Sequence, residues 1–141
     1  MGSQIENLLS EHKRKLLKSI AHLEFSYQKV QNLSCDTTKL KEENLETWES
    51  FSSRFSRTAD IFLSKYLRTV LKIQDPAYNG TLIDSLNIAE KQGLIQNAQL
   101  WYKIRELRNI EAHEYTEESL SKFFETARQL APIIIALKSI L

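Results

Sequence analysis

Trp48-Glu-Ser-Phe51-Ser-Ser-Arg-Phe55-Ser-Arg-Thr-Ala-Asp-Ile-Phe62-Leu-Ser-Lys-Tyr66-Leu-Arg-Thr-Val70 sets a large apolar side chain on most turns of a helix. That spacing is the signature of one face of a long α-helix rather than the two-residue alternation of a strand. The stripe is the expected central wall of a core. It should end at Asp75-Pro76, because proline disfavours helical geometry in the residue before it.

The same period extends outward in both directions. Leu16, Ile20, Leu23, Tyr27 and Val30 predict a first helix from Ile5 to Leu33, broken by Ser34-Cys-Asp-Thr-Thr38. Downstream, Asn79-Gly80 marks a turn, and Thr81-Leu-Ile-Asp84 is spaced like a capping box that opens a short helix ending near Gly93. Asn97 is placed to cap a further helix, with Leu100, Ile104 and Leu107 towards the core and Arg105, Arg108 and Asn109 flanking that stripe. Thr116, followed by Glu117 and Glu118, reads as a fresh helix start, with an N-cap hydroxyl and acids at the positive end of the dipole. Leu120, Phe123, Phe124, Ala127, Leu130, Ile134, Leu137 and Leu141 form the last stripe, and Pro132 within it predicts a kink. With only three glycines and two prolines in the chain, the expected fold is all-α. Its architecture is an antiparallel up-and-down bundle of four main helices plus the short one at 81–92.

A chain of 141 residues suits one domain, residues 1–141, with a core large enough to need no disulfide or metal. Nineteen basic and eighteen acidic residues leave a formal charge of +1. No global basic field therefore announces nucleic-acid binding, and any such contact must come from a local patch. Cys35 is the single cysteine, which excludes an internal disulfide and a multi-cysteine zinc site. Glu6, Glu11, His12, Lys13, Arg14 and Lys15 interrupt every apolar stretch near the start, so no signal peptide is expected there. The apolar run Ala131–Leu141 is about half the length of a membrane span. A cytoplasmic protein without a membrane segment is the expectation.

Chemistry concentrates in Arg105-Glu-Leu-Arg-Asn-Ile-Glu-Ala-His-Glu-Tyr115. Arg108 supplies a permanent cation whose planar fork of donors suits phosphate, and histidine, here His113, has an unperturbed pKa near neutrality. Together they suit phosphodiester chemistry without a metal or other cofactor. On one continuous helix Arg108 and His113 would point about 140° apart and lie about 7.5 Å apart along the axis. Either the helix ends before His113, letting the imidazole swing back, or two copies of the segment meet across a symmetric interface. Asn109 and His113, four apart, would share a face of a continuous helix.

Arg108-Asn109-Ile-Glu-Ala-His113-Glu-Tyr115 resembles the Arg-x(4-6)-His motif of HEPN domains in its Arg-x4-His-x-Tyr form. That form is similar to the HepT toxins, also called nucleotidyltransferase substrate-binding proteins. The resemblance implies an all-helical homodimer whose motifs meet in the dimer cleft and cleave RNA. It also implies a partner antitoxin, a minimal nucleotidyltransferase, that neutralises the toxin by transferring AMP to the tyrosine, here Tyr115. His113 would then be the general base or acid for attack by the ribose 2′-hydroxyl, and Arg108 would stabilise the charge on the transition state. Asn109 would orient the phosphate or the imidazole, and Arg105, about one turn before Arg108, would widen the positive patch.

Plainer roles stand beside each assignment. Arg108 can pair with Glu111 or Glu114, His113 can interact with a helix C-terminus, and Tyr115 can pack at a corner. His12, His22 and the cluster Lys13-Arg14-Lys15 with Lys18 read as structural or solvated. Trp48, Trp101 and the phenylalanines read as core. The competing functions are a non-catalytic helical module that binds a nucleotidyltransferase or a nucleotide, and a helical interaction protein whose motif is coincidental. No Gly-Ser followed by paired aspartates occurs in the chain, so AMP transfer, if it occurs, must happen in trans.

Overall fold

Each apolar stripe becomes a helix in the structure, a computed structural model that describes residues 2–110 and 116–141. In chain order these are α1 (Gly2–Val30), a 3₁₀ turn at Thr37–Lys39, α2 (Glu42–Asp60), a π-helical segment (Ile61–Tyr66) and α3 (Leu67–Gln74). They are followed by α4 (Leu82–Lys91), α5 (Ala98–Asn109), α6 (Glu117–Ile135) and a closing 3₁₀ turn at Ala136–Ser139. The fold is an all-α bundle, with no strand among the described residues.

Polar contacts give the helix directions. Ser19 Oγ lies 2.6 Å from Thr58 Oγ1, and Arg54 Nη1 donates to Ser26 Oγ at 2.7 Å, so α1 and α2 run antiparallel. Arg128 Nη1 donates to the Val30 and Leu33 carbonyls at 2.9 and 2.8 Å, and Lys138 Nζ reaches Glu24 at 3.0 Å, so the α6 segment runs back along α1. Phe62 packs on Trp101 with ring centroids 4.6 Å apart, while Asp60 meets Arg108, so α5 runs against the α2 direction. Helix α2 touches α1, α5 and α6, which makes it the central wall.

The caps form where the side chains allow. Thr81 and Asp84 make a reciprocal capping box, Asn97 accepts from the Leu100 N–H, and Thr116 accepts from the Ser119 N–H. Gly93, at φ +75°, ends α4 with the Leu94 N–H bonded to the Ala89 carbonyl, a left-handed exit that glycine makes without steric cost. Helix α1 stops at Val30, short of the Leu33 expected from the periodicity, because Leu33 turns back to bond the Val30 carbonyl. Helix α6 continues through Pro132 to Ile135 before it tightens into the 3₁₀ turn.

The long central stripe departs from expectation in one respect. Trp48, Phe51, Phe55 and Phe62 are buried as the spacing requires, but after the π segment the buried apolar residues are Leu67 and Leu71, whereas Tyr66 and Val70 are only partly covered. The π segment causes this. The Leu67 N–H bonds back to the Phe62 carbonyl, which inserts one extra residue into the turn and rotates everything after it by about 100°. Around this wall, Trp48 stacks on Phe124 at 4.8 Å and meets Phe51 edge-on at 5.7 Å. Leu16, Ile20, Leu23, Ile104, Ala127 and Ile134 complete the interior.

Candidate functional site

Helix α5 carries the basic half of the motif to the bundle surface. Trp101, Ile104 and Leu107 anchor its inner face, so Arg105 and Asn109 are exposed and Arg108 lies at the margin of the core. The helix ends at Asn109, and Ile110 is already extended (φ −77°, ψ 126°). Of the two geometries open for the motif, the structure supplies the premise of the first, a helix that stops before His113. A continuous helical face through Asn109 and His113 is thereby broken at Ile110. His113 and Tyr115 themselves lie outside the described residues.

Arg108 has an unforeseen described partner. Its Nε is 3.3 Å from Asp60 Oδ1, where α2 passes into the π segment. The contact is an ion pair without the alignment of a hydrogen bond, since Nε is enclosed and has no hydrogen-bond acceptor. The same Asp60 oxygen accepts from Ser64 Oγ at 3.3 Å, one turn further along. A π turn beside a charged residue is a recurrent way of turning a side chain out of its regular register. Here it lies next to the motif arginine.

Arg108 and Asp60 form a ridge between two hollows. One, of about 350 Å³, is bounded by Arg68, Arg105, Arg108, Asn109, Ser64 and Ser85, with the Gly80 backbone at its edge. The other, of about 470 Å³ between α2 and α6, brings Arg57 and Ser52 together with Phe123 and Phe124. Among the described residues, the first gathers three guanidinium groups around one carboxylate, a local positive surface on a nearly neutral chain. The motif alone named Arg105, Arg108 and Asn109. Asp60 and Arg68 went unread, although Asp60, Ser64 and Arg68 form a polar row at four-residue spacing beside the apolar stripe.

The other basic and titratable candidates behave as packing or solvated groups. Lys13, Arg14, Lys15 and Lys18 are exposed, and Lys15 pairs with Glu11 at 3.3 Å. His22 is exposed. His12 is half-buried, with an enclosed Nδ1 that has no partner, and burial followed by the charges of Lys65 and Lys15 holds its pKa below 6.5. Among the described residues, no group of three or more His, Cys, Asp or Glu side chains is arranged to hold a metal ion. No described helix is long and apolar enough to cross a membrane. Comparison with known proteins gives no family model, no curated protein and no solved structure that matches the chain.

Proposed function

We propose that the protein is a HepT-like HEPN endoribonuclease whose Arg-x4-His segment works at a homodimer cleft. The observation that carries the reading is the position of Arg108, the motif arginine. It borders a pocket also lined by Arg68, Arg105 and Asn109, a phosphate-compatible surface that the net charge of +1 does not predict. His113 takes the proton from a ribose 2′-hydroxyl as the 2′-oxygen attacks the adjacent phosphorus, and the bond from phosphorus to the 5′-oxygen breaks. The departing 5′-oxygen takes up a proton, leaving a 2′,3′-cyclic phosphate and a 5′-hydroxyl. Arg108 stabilises the added charge on the phosphoryl oxygens, and Asn109 orients the phosphate. Because the nucleophile belongs to the substrate, DNA resists and no metal is required. A partner nucleotidyltransferase silences the enzyme by transferring AMP to Tyr115.

The test is incubation of the purified protein, without its partner and with EDTA present, with total tRNA and a messenger RNA, beside Arg108→Ala and His113→Ala variants. Cleavage by the parent that is lost in both variants is expected. Intact RNA throughout, from a protein shown by mass spectrometry to be unmodified and by light scattering to be dimeric, would replace this reading with a non-catalytic module.

A further inference from the structure

We infer that Arg68, on α3, together with Arg105 forms a second phosphate subsite. It grips the RNA backbone next to the scissile phosphate and directs the strand from the end of α5 across the pocket towards α3 and α4. The inference rests on the ribonuclease reading and deepens it, because Arg68 lies outside the motif and on a different helix.

The pocket shows which groups remain free to bind. Ser85 Oγ is committed twice, at 2.8 Å to the Tyr78 hydroxyl and at 3.0 Å to the Thr81 carbonyl. Ser64 is spent on Asp60, and Asp60 faces Arg108. Gly80 leaves the rim without a side chain, and a Cβ there would collide with the Tyr78 ring. Arg68 and Arg105, by contrast, are exposed and make no hydrogen bond or ion pair with any described residue. Among the described residues, three guanidinium groups therefore border a space of about 350 Å³ in which Asp60 is the only carboxylate. Like charges gathered this way favour an anion with several oxygens. Among the described residues, the lining has no aromatic ring for a base to stack on, so the ligand this lining suits is phosphate and sugar. Lining residues from the π segment, α3, α4 and α5 spread the cations over more than one helix, as a continuous backbone requires and a single ion does not.

The experiment measures binding of a labelled single-stranded RNA by fluorescence anisotropy over a salt series, in a His113→Ala background that prevents cleavage. Arg68→Ala and Arg105→Ala should each weaken binding about five- to tenfold and lower the slope of log affinity against log salt by about 0.7. Arg68→Lys should restore most of that slope. In the active protein Arg68→Ala should raise KM while kcat stays within about twofold, the split expected of uniform binding. Unchanged affinity and slope in Arg68→Ala, while the parent still binds and cleaves RNA, would overturn the subsite and leave the ribonuclease reading standing. A folded His113→Ala protein that binds no RNA would overturn both. Loss of ATP binding in Arg68→Ala with RNA binding unaltered would overturn the subsite in favour of a free-nucleotide site.

Discussion

Arg108 on α5 and Asp60 at the end of α2 are far apart in the chain, yet the guanidinium Nε sits 3.3 Å from the carboxylate. The two side chains remain 34% and 46% exposed. An ion pair this open contributes at most about 1 kcal/mol to stability, so its consequence is positional. It fixes the direction in which a long, flexible side chain points, and it offsets one of the positive charges lining the pocket.

Asp60→Asn should therefore barely change stability, by less than about 1 kcal/mol. Within the proposed reaction it should lower kcat roughly ten- to a hundredfold, because the arginine loses its fixed orientation towards the phosphate. KM for RNA should not rise, since a negative charge has left a basic pocket. Steady-state kinetics on a short RNA separates the two parameters, and an unchanged kcat would show that Arg108 needs no help from Asp60.

The register shift at the π segment predicts an unequal pair of truncations. Leu71 is 2% exposed, whereas Val70 is only partly covered. Leu71→Ala should cost about 2–5 kcal/mol and Val70→Ala about 1 kcal/mol. Urea unfolding midpoints at constant m-value measure both. Equal costs would mean that the helix keeps a regular α register through residues 61–66.

Arg128 closes the end of α1 from across the bundle. One of its nitrogens serves the Val30 and Leu33 carbonyls, and its guanidinium lies 5.2 Å from the Trp48 ring. Arg128→Met keeps much of the apolar stem but leaves two carbonyls without this donor, at a cost of about 1–3 kcal/mol. Arg128→Lys should recover only part of the loss, since an ammonium lacks the planar fork that stacks on a ring. Thermal unfolding of the three proteins orders them.

His12 should make stability depend on pH. Its folded-state pKa lies below 6.5 because burial, Lys65 and Lys15 all oppose the charged form, with Glu11 acting weakly the other way. Between the folded pKa and 6.5 the unfolded chain binds more protons, so stability rises with pH across that window and falls as the solution is acidified through it. His12→Gln should flatten the slope of the unfolding midpoint in the window just below pH 6.5. A slope that survives the substitution would assign it to other groups.

Local residue pattern dictates the helices and most of their faces. Apolar side chains at 3.6-residue spacing have one face to bury, and Thr81, Asn97 and Thr116 satisfy the exposed N–H groups at the helix starts from within their own turn. These are local interactions, legible one segment at a time. The motif was legible for the same reason, as a run of residue types at fixed spacing, while the corner expected at Glu114 and Tyr115 lies outside the described residues.

Tertiary structure alone decided the rest. The π turn was hidden because Tyr66 and Val70 extend the apolar stripe as plausibly as Leu67 and Leu71, and only packing against α1 and α4 selects between them. The pairing of Arg108 with Asp60 follows from how α5 lies across the α2–π junction. Arg68 joins the motif arginines for the same reason. Its place at the pocket depends on the angle and register between helices, which arise from interlocking side chains on separate segments and leave no periodic trace in the chain.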